Sequence, residues 1–271
     1  MSCLKKEEMC KSFDGTGIYV SKRIPTTVKA IIVVVHGLAE HLGRYDELAD
    51  KLVEQNLAVY RFDHRGHGKS EGQRAYYSNF NEMIEDVNYI VEMAKSAHPL
   101  IPMFVLGHSM GGFTAACFGT KYPDKVDGII LSGALTRDNK GLLQGIPEGL
   151  SVTEYLPNGL GHLICTDATV VAAYMNDPLV LTQISAGLFY ELRKGVQWLK
   201  DNHQAFIAPV LILHGCDDKL VFEKDSRDFY GDIASTDKEL RIYAKLYHEI
   251  LNEPCKQAII EEIITWIKKR L

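Results

Sequence analysis

The chain has 271 residues, which allows one large domain or two small ones. Hydrophobic residues make up 46% and charged residues 24%, a globular composition that excludes disorder and fibrous architecture as the main state. The 30 basic and 35 acidic side chains leave a net charge of −5, a poor basis for binding nucleic acid through its phosphates.

The start, MSCLKKEEMCKSF, is charged and has no apolar h-region, so no secretory signal is expected and the cytoplasm is the expected address. Residues 17–24 read as a strand. Ala30–Val35 is the longest apolar run, far short of the roughly 18 residues that span a bilayer, and reads as a buried strand. In RYDELADKLVEQ the apolar positions Tyr45, Leu48, Ala49, Leu52 and Val53 follow helical spacing. Leu57–Phe62 is a second buried strand, and NEMIEDVNYIVEMAKSA carries the helical stripe Ile84, Val87, Val91 and Ala94. Short apolar runs at 103–106, 128–131 and 210–213 read as further strands, and 239–246 as another. The closing KQAIIEEIITWIKKR is a helix whose Lys268, Lys269 and Arg270 suit its C-terminal dipole. Strands apolar on both faces, alternating with helices, imply an α/β fold with a mostly parallel central sheet flanked by helices.

Residues 138–203 break this alternation. They are rich in Gly and Pro, show no clear strand, and become helical in TDATVVAAYMND and SAGLFYELRKGVQWLKDNH. So long an interruption reads as a cap or lid inserted into a core formed by 1–137 and 204–271. The six cysteines, Cys3, Cys10, Cys117, Cys165, Cys216 and Cys255, form no CxxC pair and read as reduced thiols, several of them in the core.

The strongest motif is Gly107-His108-Ser109-Met110-Gly111, a G-x-S-x-G between a buried strand and a helix-compatible stretch. A sharp strand-to-helix turn strains the serine backbone and crowds the chain, which the glycines relieve. It raises the Ser109 hydroxyl above the sheet and leaves the Met110 N–H at a helix N-terminus, aimed at a developing oxyanion. A serine hydroxyl is a weak nucleophile and needs a base and an acid to orient that base. Both follow downstream, after strands, in the order acid then histidine. His214-Gly215-Cys216-Asp217-Asp218 offers Asp217 or Asp218, and Tyr247-His248-Glu249 offers His248. His214, His36, His64 and His67 are lesser alternatives for the base. The second oxyanion donor is expected from the loop after an early strand, where His36-Gly37 precedes the Leu38 N–H.

HGLAEHLGRY, DHRGHGKSEGQR, GHSMGG, the DPL at 177–179, HGCDD and YHEILNE stand in that order along the chain. Together they resemble the monoacylglycerol lipase-like branch of the α/β-hydrolase superfamily, also labelled lysophospholipase-like or serine aminopeptidase S33-like. The resemblance spans nearly the whole chain and is thinnest in the cap. It implies an α/β-hydrolase fold, the acid at Asp218 rather than Asp217, oxyanion donors at Leu38 and Met110, and no cofactor. It also implies hydrolysis of monoacylglycerols or other simple carboxylic esters. Leu38, larger than the residue common there in some relatives, would narrow the acyl side. For Glu40, His41, Arg44 and Tyr45, helix capping and loop packing are expected over substrate contact, and Asp63, Arg65, Gly66, Gly68 and Ser70 read as a structural loop.

The cap segments GLLQGIPEGL and EYLPNGLGHLI could face an acyl chain, touch a membrane surface transiently, or pack on the cap's own helices. Cys216, ordinarily a buried core residue, would confer thiol-reagent sensitivity if it lay near the pocket. No metal is expected: no HExxH or carboxylate–histidine set accompanies the histidine pairs. Three function classes compete. One is a serine carboxylesterase or monoacylglycerol lipase working through an acyl-enzyme. Another is a feruloyl or cinnamoyl esterase, aminopeptidase or amidase on the same fold, with Glu148, Glu154 or Asp167 as amine-binding candidates. The third is a non-enzymatic binding protein, which an intact Ser, Asp and His argues against.

Overall fold

In the computed structural model, which describes residues 3–271 and leaves Met1 and Ser2 of the charged start outside, the apolar runs build one eight-stranded sheet. Its strands are β1 (Cys3–Lys11), β2 (Gly17–Pro25), β3 (Ala30–Val35), β4 (Leu57–Phe62), β5 (Met103–His108), β6 (Gly128–Ser132), β9 (Val210–Gly215) and β10 (Lys238–Tyr243). They lie in the order β1-β2-β4-β3-β5-β6-β9-β10. The β1–β2 and β2–β4 pairs are antiparallel, and all others are parallel. The helices are α1 (Asp46–Glu54), α2 (Asn81–Ala97), α3 (Met110–Lys121), α4 (Ala168–Asn176), α5 (Ala186–Asp201), α6 (Glu223–Asp232) and α7 (Lys256–Lys268).

Period-two alternation makes two cores. Ile31, Val33 and Val35 of β3 join α2, α3 and α5 on one face of the sheet. Ala30, Ile32 and Val34 of the same strand join α1 and α7 on the other. Because β3, β4, β5, β6 and β9 are buried along their whole length, both faces of the parallel sheet are covered by helices, as their uniformly apolar runs require.

Three elements differ from the sequence reading. β1 is absent from the sequence reading: its Lys5, Lys6 and Glu7 are exposed and Glu8 half-buried, so it lacks an apolar signal. Nine backbone pairs to β2 hold it at the sheet edge, where charged side chains discourage pairing with another chain. β10 ends at Tyr243 rather than 246, because Lys245 takes a left-handed backbone conformation (φ 65°). Within 138–203 a small antiparallel pair, β7 (Tyr155–Pro157) and β8 (Gln183–Ser185), occurs where no strand was read. Each is three residues long, too short to show a period. In the same segment α4 lies near Arg44, whose guanidinium stacks 4.8 Å from the Tyr174 ring. α5 sits on α3, and the Phe80 N–H at the start of α2 donates to Glu191 at 3.0 Å.

Candidate active site

The turn between β5 and α3 is tight because two glycines permit it. A Cβ on Gly107 would collide with Gly111 O, and one on Gly111 with Val35 O. Between them Ser109 stands at φ 54°, ψ −117°, a conformation rare for a residue with a side chain. The turn is fixed by Ser109 N–H to Ser132 O at 2.9 Å and by Phe113 N–H to Ser109 O at 2.9 Å. This strained strand–turn–helix matches the nucleophile elbow in shape as well as sequence.

The two downstream candidates meet across 30 residues. His248 Nδ1 lies 2.6 Å from Asp218 Oδ2, while Asp218 Oδ1 accepts from Leu220 N at 2.7 Å and Val221 N at 2.9 Å. Asp217 is exposed and makes no such contact, so Asp218 is the one of the two neighbouring aspartates that meets His248. Burial raises the Asp218 carboxyl, but His248 and His214 outweigh it and hold Asp218 well below the usual carboxylate range. Burial lowers the His248 imidazole, and Asp218 beside it more than compensates, leaving His248 above its ordinary value.

Ser109, His248, Leu38 and Met110 line one cavity. Its other walls are mainly apolar: Leu135, Leu142, Leu143, Leu160, Ile164 and Leu192. Leu142 and Leu143 come from GLLQGIPEGL, Leu160 and Ile164 from EYLPNGLGHLI, so both segments contribute walls to the cavity that Ser109 lines. His36 Nδ1 lies 2.8 Å from Gly37 O, and Gly37 N–H donates to Glu40. A trans peptide points its N–H opposite to its C=O, so anchoring Gly37 O on His36 turns the Leu38 N–H the other way.

His36, His64 and His67 form a buried cluster behind this loop, with ring centroids 4.6 to 6.0 Å apart. Burial holds all three below their ordinary value, His67 at about 3. His108 is likewise held at about 3 by burial and by His248, whose ring centroid lies 4.6 Å away. None of His36, His64, His67 and His214 lines the cavity. Among the described residues no cluster of three or more His, Cys, Asp or Glu side chains could hold a metal, and no helix is long and apolar enough to cross a membrane.

Several features escaped the sequence reading. The buried Glu40 and Glu249 both pair with Arg44, at 2.7 Å to each carboxylate, and line the cavity rim beside Ser109 and His248. Loop packing of Glu40 and Arg44 is expected from HGLAEHLGRY, but no local signal announces Glu249 as the partner. Residues 138–203 are hydrogen-bonded to both loops that line the cavity with Ser109. Leu181 N–H donates to Ala39 O and Glu249 N–H to Ile164 O, each at 2.8 Å. His41 Nε2 reaches Asp177 at 2.9 Å, and Glu253 accepts from Thr166 N at 3.0 Å. Cys216 is exposed rather than buried, and lines a separate depression on the outer side of the Asp218 loop. Glu148 and Glu154 are exposed, Asp167 caps α4 through Thr169 N at 2.8 Å, and none of the three lines the cavity.

A helix-flanked, mostly parallel sheet with a strained serine elbow at the C-terminal end of a central strand defines an α/β-hydrolase. The family described as serine aminopeptidase, S33, matches residues 26–255. The monoacylglycerol lipase of Mycolicibacterium smegmatis is 34% identical over 271 aligned positions, covering 96% of this chain and 97% of that protein. The monoglyceride lipase of Rattus norvegicus is 31% identical, covering 90% of this chain and 84% of its own. The crystal structure of the Paleococcus ferrophilus monoacylglycerol lipase superposes with a TM-score of 0.82 at 28% identity, covering 94% of this chain and 99% of that one. The chain therefore belongs to the S33, monoacylglycerol lipase-like branch of the α/β-hydrolases, and it is a serine ester hydrolase.

Proposed function

We propose that this enzyme hydrolyses monoacylglycerols through an acyl-enzyme on Ser109. The observation that carries the reading is the single cavity in which Ser109 and His248 stand among eight leucine and isoleucine residues. Ser109 Oγ attacks the ester carbonyl carbon while His248 takes the hydroxyl proton. Asp218 orients the imidazole and stabilises it when protonated. The oxygen that becomes negative is received by the Leu38 and Met110 N–H groups. Collapse expels the alcohol, which takes the proton back from His248. A water activated by the same histidine then cleaves the acyl-enzyme and releases a fatty acid. The leucines accept the acyl chain, because apolar surface removed from water contributes roughly 25 cal/mol per Å².

Residues 138–203 are assigned as the cap, with the stretch before α5 covering the serine. Exposed Val152, Leu163 and Met175 in this stretch support a transient contact with a lipid surface. The aminopeptidase reading is less well supported. An amine-binding site needs an unpaired carboxylate in the cavity, and the acidic groups there, Glu40 and Glu249, are already committed to Arg44.

A panel of 1-monoacylglycerols of increasing chain length, p-nitrophenyl esters, feruloyl esters and aminoacyl amides separates the readings. The proposal expects monoacylglycerols to show the highest kcat/KM. Preferential turnover of feruloyl esters or aminoacyl amides would reject the substrate while leaving the fold and elbow intact.

A further inference from the structure

Asp218 is contacted by two imidazoles. His248 Nδ1 lies 2.6 Å and His214 Nε2 3.0 Å from the same oxygen, Oδ2. His214, the next-to-last residue of β9 and four before Asp218, is fully buried and does not line the cavity. Its Nε2 also lies 3.0 Å from Val221 O, and its Nδ1 lies 2.7 Å from Ser226 Oγ in the first turn of α6. A carboxylate and a backbone carbonyl can only accept, so the proton must sit on Nε2 and be shared between them. The Ser226 hydroxyl then holds the other end of the ring. Asp218 thereby receives four donors, two backbone N–H groups on Oδ1 and two imidazoles on Oδ2.

We propose that His214 is a positioning residue that fixes the rotation of the Asp218 carboxylate, so that Oδ2 stays aimed at His248 Nδ1 during proton transfer. This rests on the reading of Ser109, His248 and Asp218 as the triad. Two backbone donors on Oδ1 leave the carboxylate free to pivot about that oxygen, and His214 blocks the pivot from behind. The contact lies remote from substrate, so its loss acts on the chemical step and leaves ground-state binding alone.

The test compares His214→Gln, which keeps an N–H donor of similar reach, with His214→Met, which keeps the bulk and removes the donor. Both are made in the full chain and assayed with a p-nitrophenyl ester. His214→Met should lose about 10- to 100-fold in kcat with KM within about twofold, and His214→Gln should recover to within about threefold of the parent. Equal activity of the two variants, or a loss confined to KM, overturns the proposal. Nitrogen-15 imidazole spectra of the unmodified protein provide a check that does not depend on a variant folding. They should show His214 protonated at Nε2, and an unprotonated Nε2 overturns the proposal as well. Ser109→Ala and Asp218→Asn run alongside. If these retain full activity, the triad reading falls; if they are inactive while the His214 variants are indifferent, only the role of His214 falls.

Discussion

Arg44 donates to the carboxylate of Glu249, 2.7 Å from Nη2 to Oε2, and so ties the loop after β3 to the residue following His248. The same guanidinium holds Glu40 at 2.7 Å, and Glu40 in turn accepts from Gly37 N–H and from Tyr45 Oη at 2.6 Å. Burial raises the Glu40 carboxyl, and Arg44, His108 and His36 together bring it below its ordinary value. The two loops that line the cavity with Ser109 therefore share one largely buried cation.

Breaking that tie leaves two buried carboxylates without their countercharge. Arg44→Met should destabilise the fold by about 3–5 kcal/mol. Arg44→Lys should recover only part of this, since a lysine cannot fork to two carboxylates. Denaturant titration measures both. A loss below about 1 kcal/mol for Arg44→Met would mean that the network is not strained by removal of its centre.

The elbow glycines predict a sharp contrast. Gly111→Ala drives a methyl into the backbone of β3, so it should abolish activity and lower the melting temperature. Gly145→Ala meets only ordinary contacts, 3.5 Å from the nearest atom, and should change stability by no more than about 0.5 kcal/mol. Esterase assay and thermal melting of the two variants decide the matter.

The buried histidines predict instability in acid. His36, His64, His67 and His108 sit below their ordinary value of 6.5 in the folded state. Below that pH the unfolded chain binds protons that the folded chain does not, so stability falls as pH falls. Each such group contributes a slope of about 1.4 kcal/mol per pH unit until its folded value is reached, about 3 for His67 and His108. His248, raised in the fold, works the other way: it adds stability below 6.5 that disappears as pH rises through its folded value. The two effects occupy different pH windows: His248 acts only above 6.5, so below 6.5 the four buried neutral histidines act unopposed and unfolding free energies should fall as pH is lowered from 6.5 to 5. A flat profile over this range would contradict the neutral cluster.

Catalysis should carry its own pH signature. In the proposed mechanism His248 must be unprotonated to accept the serine proton, and Asp218 raises its affinity for protons. Activity should therefore fall with falling pH along a limb in kcat/KM that lies above 6.5. Asp218→Asn should shift this limb downward and lower kcat by about 10⁴-fold. A limb that stays in place in the variant would disconnect Asp218 from His248.

Most of this architecture was legible because it is written in local periods and in one short motif. Ala30–Val35 and Leu57–Phe62 match β3 and β4 residue for residue, since a strand buried on both faces is uniformly apolar. The elbow was legible because only glycine tolerates the crowding at 107 and 111. What escaped has long-range causes. β1 is held by main-chain pairing to β2, which leaves no trace in KKEE. Glu249 gains its meaning from Arg44, 205 residues earlier, and His214 from an aspartate whose place depends on the turn between them. The DHRGHGKSEGQR loop reads as structural, and its Arg65 does bind Asp86, 2.8 Å from Nε, but nothing local points to that partner.

The central claim is that Ser109 is the nucleophile, activated by His248. The most direct measurement is covalent trapping with a fluorophosphonate, read by intact mass and peptide mapping. The account predicts one adduct per chain on Ser109, none in Ser109→Ala, and labelling slowed at least about 100-fold in His248→Ala. An adduct on another residue, or labelling at Ser109 that proceeds unslowed without His248, would contradict it.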